Sequence, residues 1–303
     1  MAKELGVEFI ALHLAWTQIE TTPNNYEDPD DALLLLGQVA AANSFQFSLT
    51  LRPIDLSGKI VPSDLENMRF NDTTMIRRFE SLIDFVFTKV NPSVLLNLQI
   101  GNEIDGYNFS QEPASFWSDY GFFLKEINAY IKKSHPDLKA GFTGTLKGLN
   151  NNPSLFNQVL SNVDILGVTY YPIQSDYTVE LPTVLNGDFD LLLTNYPSKP
   201  IYVQELGYQT AARCNSNEQK QAKFFSQFFN YWDKHASDIK SVNLVRLNDL
   251  SIQAASDAAL QYNLSDSIFF DYLRTIGIRT YSGTGSHKMA FDTLKIKLKE
   301  RGW

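Results

Sequence analysis

Seven short apolar runs, each followed by a stretch of helical periodicity, restrict this chain more than any other feature. The runs are residues 7–16 (VEFIALHLAW), 45–54 (FQFSLTLRPI), 94–100 (VLLNLQI), 140–146 (AGFTGTL), 164–173 (DILGVTYYPI), 199–206 (KPIYVQEL) and 242–247 (VNLVRL). Several have the length of a strand buried on both sides, such as the mostly apolar 94–100, broken only by Asn97 and Gln99. Between them lie helical signals. Asp28-Pro29 offers a cap and a first-turn proline ahead of 32–42. Ile76, Phe79, Leu82, Ile83, Val86 and Phe87 form one face within 71–90. Phe116, Tyr120, Phe123, Leu124, Ile127 and Ile131 form another, stopped near His135-Pro136. Shorter helices are expected at 155–160 and 189–194. A Ser216-x-x-Gln219 capping box precedes a helix carrying Phe224, Phe225, Phe228, Phe229 and Trp232. Helices at 265–276 and 291–299 close the chain. With no repeat and no linker, this alternation predicts a parallel α/β architecture in one domain over residues 1–303.

Eight strands close a barrel of this class, and seven are counted. Met1 to Gly6 reads as the last turn of a helix stopping at a glycine. The expected fold is therefore a TIM (β/α)8-type barrel lacking strand one and most of helix one at the N-terminus. In the alternative, the gap is left open or is plugged by residues 277–281. An open gap would expose two strand edges.

Composition removes several function classes. The net charge is −8 with no Lys/Arg cluster, so nucleic acid and anionic membrane are not expected partners. The single cysteine, Cys214, excludes an internal disulfide and a cysteine-ligated metal cage. No apolar run approaches the roughly 18 residues that span a bilayer. No HExxH, GxxxxGK[ST] or GxSxG occurs, and Gly283-Thr284-Gly285 reads as a turn. No cofactor and no metal are expected.

Two of the strands end on carboxylates. Asn102-Glu103 follows 94–100, and Glu205 closes 199–206. Such a pair suits glycoside hydrolysis, which needs an acid for the leaving oxygen and a second carboxylate across the sugar. A separation of about 5–5.5 Å allows direct attack with retention, whereas roughly 6.5–9.5 Å admits a water and inverts.

In this order the two carboxylates resemble the catalytic pair of the clan A glycoside hydrolases, which are retaining (β/α)8 barrels. LQIGNEIDG, DILGVTYYPI and KPIYVQELGY are most similar to the endo-β-1,4-galactanase family of that clan. Trp16-x-x-Ile19-Glu20 is similar to a WxxIEP turn of several clan families. The ending, residues 273–279 with Lys288-x-Ala290-Phe291, also matches. The resemblance implies that Glu103 is the acid/base and Glu205 the nucleophile, with Asn102 hydrogen-bonding a sugar 2-hydroxyl. It further implies a tyrosine that holds the nucleophile. Tyr170 and Tyr171 both qualify, and Tyr171, nearer the carboxyl end, is preferred.

Other residues keep two readings. Arg52 orients a carboxylate or forms a structural ion pair, and Trp16 stacks on a sugar or fills the core; both are entered as substrate-binding candidates. His13 reads as a hydrogen-bonded barrel residue. Tyr107, Trp117 and Tyr208 are candidates for a cleft wall, and Lys147 and Asp249 lie near strand ends. One departure stands out: where clan members often close strand eight with a tryptophan, this chain has LVRLNDLS, with Asn248 or Asp249 in that place. The implied activity is a retaining β-glycosidase, monomeric and secreted or periplasmic, hydrolysing O-glycosidic bonds of a poly- or oligosaccharide by double displacement. The rivals are a non-catalytic carbohydrate-binding barrel or inactive fragment, and an unrelated barrel enzyme.

Overall fold

Seven strands neighbour one another in chain order, as the apolar runs predict. They are β1 (Phe9–Ala15), β2 (Gln46–Asp55), β3 (Leu95–Asn102), β4 (Ala140–Thr145), β5 (Ile165–Tyr170), β6 (Ile201–Leu206) and β7 (Ile239–Leu244). The computed structural model describes residues 3–56, 58–106, 115–262, 264, 266–281 and 285–302. Tyr107 and the Gly283-Thr284 part of the expected turn lie outside the described residues. Pairing is parallel from β1 through β5, beginning with Phe9 opposite Gln46 and ending with Thr145 opposite Thr169. A sequential parallel sheet with helical crossovers is the topology of the TIM-type barrels.

The crossovers are α1 (Ala32–Asn43), α2 (Thr73–Lys89), α3 (Phe116–Ser134), α4 (Leu146–Asn151), α5 (Pro153–Leu160), α6 (Val184–Asn195) and α7 (Glu218–His235). After β7 come α8 (Ile252–Gln261), α9 (Ser267–Arg274) and α10 (Met289–Glu300). Among the described residues no helix is long and apolar enough to cross a membrane. The short α4 and α8 escaped the sequence reading. Each lacks a long apolar face: Leu146 and Leu149 alone are buried on α4, and α8 exposes Ile252 and Leu260. β7 begins three residues earlier than predicted, and α6 extends five residues further back, to Val184. Asparagine rather than serine caps α7. Asn217 accepts from the Lys220 amide at 2.9 Å, while the Ser216 hydroxyl donates to the Gln209 carbonyl at 2.5 Å.

The chain divides into two compact units. The larger comprises Glu8–Thr169 and Asn195–Tyr202. Two of its helices start beside aspartates that take up first-turn amides: Asp28 accepts from the Leu33 and Leu34 amides of α1, and Asp72, the cap of α2, from that of Thr74. The predicted face of α2 is buried except at its end, where Phe87 is half-buried, and Phe79 lies edge-on to Trp16 and to Phe123 at 5.0 and 5.1 Å. Side chains on the opposite side of these strands are polar. Ser48, Thr50, Asn97, Gln99, Thr143 and Thr169 are all buried. Ser48 and Gln99 both donate to Asn97 Oδ1, at 2.8 and 3.2 Å. Gly141 leaves room for this layer, since an added Cβ would lie 2.5 Å from the Ile165 carbonyl and 3.1 Å from Gln99 Oε1.

The smaller unit comprises Met1–Val7, Tyr170–Thr194 and Val203–Trp303. Phe224, Phe225, Phe228 and Phe229 of α7 form its core. Residues 277–279 lie along the segment after β7: Arg279 donates its amide to the Leu247 carbonyl, and Asp249 donates to that of Arg279. Lys288 is buried and ties this region together through Asp249, Thr210 and the carbonyls of Thr275 and Gly277, at 2.7–3.1 Å. Burial pushes the Lys288 pKa down and that of Asp249 up, against the attraction between the two charges.

Candidate active site

The end of β3 is held in a backbone shape that few residues adopt. Gly101 has φ +86, and a Cβ there would lie 2.5 Å from the Tyr120 hydroxyl, which itself donates to the Ile100 carbonyl at 2.8 Å. Glu103 follows with φ +46, a left-handed conformation that is uncommon for a residue with a side chain. Such strain concentrates at functional sites. The Gly106 amide bonds the Glu103 carbonyl at 2.8 Å and closes the turn. Asp105, within it, accepts from the amide and hydroxyl of Thr145 at 2.8 and 2.5 Å. Burial pushes the Asp105 pKa up, and the bonds from Thr145 oppose the shift.

The Glu103 side chain is half-buried, and its Oε1 accepts from the Thr169 hydroxyl at 2.7 Å. Asn102 donates through Nδ2 to Asp55 Oδ1 at 3.0 Å. The other oxygen of Asp55 pairs with the Arg52 guanidinium. Asn102 Oδ1 accepts no hydrogen bond among the described residues, although it is buried. Arg52 thus acts on Asn102 through Asp55, a residue the sequence reading passed over. The signal was present, because Asp55 lies three positions beyond Arg52 at the same strand end.

Several expectations are corrected. Trp16 is wholly buried, so neither face of its indole can receive a sugar. Its Nε1 donates to Glu20 at 2.7 Å, and Arg78 Nε donates to the same carboxylate at 2.6 Å. The WxxIE turn is therefore a buried ion-pair cluster rather than a sugar platform. Trp117 and Tyr208 also belong to the core. Trp117 meets Phe156 edge-on at 4.9 Å, and the Tyr208 hydroxyl donates to the Glu180 carbonyl at 2.7 Å. Lys147 is exposed on α4, and Asp249 is engaged by Lys288. His13 is half-buried on β1.

In the smaller unit, Glu205 is half-buried near the end of β6 and accepts from the Tyr171 hydroxyl. The neighbouring Tyr170 turns the other way, donating to Asp188 at 2.6 Å and packing edge-on to Phe189 at 5.1 Å. The alternation of an extended chain separates the two tyrosines. Gly207 lets Tyr171 approach, since a Cβ there would lie 2.5 Å from its ring. Tyr272 meets the Tyr171 ring edge-on at 6.0 Å. Asn248, in the position of the absent tryptophan, accepts from Arg279 at 3.2 Å. Among the described residues no three His, Cys, Asp or Glu side chains converge as metal ligands.

No family model matches the sequence, and no curated protein matches it. Solved structures do. Exo-beta-1,4-mannosidase Op5Man5 from Opitutaceae bacterium strain TAV5 superposes with a TM-score of 0.75 at 14% identity, over 99% of this chain and 54% of that one. A GH5_18 protein from Streptomyces cattleya, solved with Manb1-4GlcNAc, gives 0.71 at 13% identity, over 98% and 72%. The GH53 catalytic domain of Ignisphaera aggregans gives 0.62 at 17% identity, over 80% and 75%. These neighbours are clan A glycoside hydrolases. The fold is theirs, a (β/α)8-type barrel. At these identities the likeness concerns the fold, and the chain spans about half the length of the mannosidase. In such barrels functional side chains sit at the carboxyl ends of strands. Arg52, Asp55, Asn102, Glu103, Thr169, Tyr171 and Glu205 all occupy strand ends of that kind.

Proposed function

We propose that this chain is a retaining β-glycosidase, a single catalytic domain hydrolysing O-glycosidic bonds of an oligo- or polysaccharide by double displacement. The observation that carries the reading is a pair of hydrogen bonds from one short segment. Thr169 donates to Glu103 and Tyr171 donates to Glu205, from positions two residues apart in the chain. Two carboxylates at two strand ends are thereby each given a hydroxyl, as a pair with separate roles requires.

In the first step Glu205 attacks the anomeric carbon while Glu103 passes its proton to the departing oxygen. A glycosyl ester on Glu205 and a free alcohol result. In the second, Glu103, now ionised, takes a proton from water, whose oxygen displaces Glu205. Tyr171 orients the nucleophile and supplies a hydrogen bond to its negative charge. Asn102, fixed by Asp55 and Arg52, offers its remaining N–H to a sugar hydroxyl. The carbohydrate class rests on the neighbours, one of which is named for β-1,4-mannoside cleavage.

The test uses aryl β-glycosides of mannose, glucose and galactose, with the anomer of the first product read by NMR. Hydrolysis with retention is expected, and Glu205→Gln should abolish it. Full activity in that variant, or inversion in the wild type, refutes the assignment. A second reading, a carbohydrate-binding barrel without turnover, is favoured by one feature: Asn248 and Asp249 stand where a tryptophan is common, and both are engaged by neighbours. Sugar binding by calorimetry with no hydrolysis would select it.

A further inference from the structure

We infer that Tyr177 is the platform of a further sugar subsite, two aromatic rings out from Glu205, so that the site takes a β-linked chain of several sugars. The inference rests on the glycosidase reading above and deepens it by giving the substrate a length.

Tyr177 has φ +63, and for a bulky side chain the left-handed region is a genuine outlier. Such strain persists only where the surroundings impose it, and it clusters at binding and catalytic sites. Residues 173–179 form a tight turn after β5, closed by the bridge between Ile173 and Val179 and by the Gln174 amide, which donates to the Thr178 carbonyl at 2.9 Å. The Tyr177 amide donates to the Gln174 carbonyl at 3.1 Å, and its own carbonyl accepts from Gln209 Nε2 at 3.2 Å. Gln209 is buried and lies just past Glu205 in the chain, so the turn is pinned to the segment that follows the proposed nucleophile. All of these bonds to Tyr177 use its main chain, which glycine or asparagine would supply with less strain. The side chain is what distinguishes the position.

The Tyr177 ring is half-buried beside the exposed residues 174–176. It lies 4.8 Å from Phe269 at a tilt of 51° and 6.3 Å from Tyr272 at a tilt of 38°, so neither of these α9 rings lies flat against it. Tyr272 in turn meets Tyr171 at 6.0 Å, and the Tyr171 hydroxyl donates to Glu205. Two ring-to-ring steps of 6.0 and 6.3 Å therefore lead from the tyrosine on Glu205 to Tyr177, each comparable to the repeat of a β-1,4-linked pyranose chain. The C–H side of a β-linked pyranose is apolar and suits an aromatic face, while the sugar hydroxyls stay toward water. A single sugar held at Glu205 does not span that distance. A sugar two units along the same chain does.

The experiment measures binding by calorimetry to the full chain carrying Glu205→Gln, which prevents turnover. The ligands are the β-1,4-linked tetrasaccharides of mannose, glucose and galactose, with the methyl β-glycosides of the same sugars as short controls. At least one tetrasaccharide is expected to bind more tightly than its methyl glycoside. Adding Tyr177→Gly should weaken that binding roughly 10-fold, the order of one lost aromatic contact. Glycine takes φ +63 without strain, so the turn keeps its shape and circular dichroism should not change. Methyl glycoside binding should stay within about 2-fold, as expected of a separate site. Tyr177→Phe, which keeps the ring, should bind as its parent does. With Glu205 intact, Tyr177→Gly should lower kcat/KM on the tetrasaccharide by the same factor. Three results overturn the subsite: no tetrasaccharide binding more tightly than its methyl glycoside, no effect of Tyr177→Gly on the tetrasaccharide, or equal weakening of both ligands. A Tyr177-dependent tetrasaccharide complex that the wild-type chain does not hydrolyse leaves the subsite standing and removes the catalytic reading instead.

Discussion

Removing the buried Glu20 carboxylate should strongly destabilise this protein. Glu20 is 1% exposed and accepts from Trp16 Nε1 at 2.7 Å, the Asn24 amide at 2.7 Å and Arg78 Nε at 2.6 Å. Arg78 is also buried, and among the described residues its other ion pair is with Asp64, whose side chain is 39% exposed. Burial alone would lower the Arg78 pKa, but the bonds to Asp64 and Glu20 outweigh it and hold the pKa above its ordinary value. Glu20→Ala leaves a guanidinium in the core with one solvent-facing partner. Breaking a buried pair from one side costs about 3–5 kcal/mol. The stranded indole N–H adds a further penalty of about 1–3 kcal/mol. The two overlap within one network and do not sum. A loss of about 3–5 kcal/mol is therefore expected, or roughly 6–10 °C in Tm at the shallow slope of about 2 °C per kcal/mol for larger chains. Urea unfolding followed by tryptophan fluorescence, with Trp16 inside the cluster, measures it. Glu20→Met combined with Arg78→Met should be less damaging than Glu20→Ala alone, because no charge is then left buried. An unfolding midpoint for Glu20→Ala equal to wild type, or a double variant losing the sum of the two singles, would refute the reasoning.

Two further outcomes follow from the geometry of the strand ends. Tyr171→Phe deletes a hydrogen bond to the proposed nucleophile, a class of bond worth about 1.5–3 kcal/mol, so kcat should fall roughly 10–150-fold with the fold unchanged by circular dichroism. Asp105 provides a pH test. Its folded pKa lies above the unfolded value, so its contribution to stability is complete below the ordinary carboxylate range and is lost as pH rises through the folded pKa. Asp105→Asn should therefore show a flatter dependence of unfolding midpoint on pH from about pH 4 upward, where an unfolded aspartate ionises. A wild-type midpoint that rises over that interval relative to the variant contradicts the direction.

How far the amino-acid sequence reaches is clearest at the two ends of β3. The strand itself was legible, because a short apolar run between turn residues leaves little choice of conformation. The shape of Gly101 to Glu103 was not, since a left-handed φ at a glutamate depends on the turn being closed from outside, by Tyr120 and Thr145. The choice between the adjacent tyrosines was open to period-two reasoning, and Tyr171 is the one that meets Glu205. The same period could have added Thr169 to the candidates, two positions back on the same side. Trp16 went the other way. Its place at a strand end suits either a sugar or the core, and Arg78, 58 residues from Glu20, draws the turn inward.

Strand positions, helix faces and the places of Asn102, Glu103 and Glu205 at strand ends were thus set by the chain alone, because each depends on neighbours within a few residues. Partnership was decided only by the tertiary structure. Asp55 on Asn102, Thr169 on Glu103 and Arg78 on Glu20 each join residues 47 to 66 positions apart. A hydrogen bond or ion pair exists only where folding has removed water and brought two groups within about 3 Å, and no local pattern encodes that meeting.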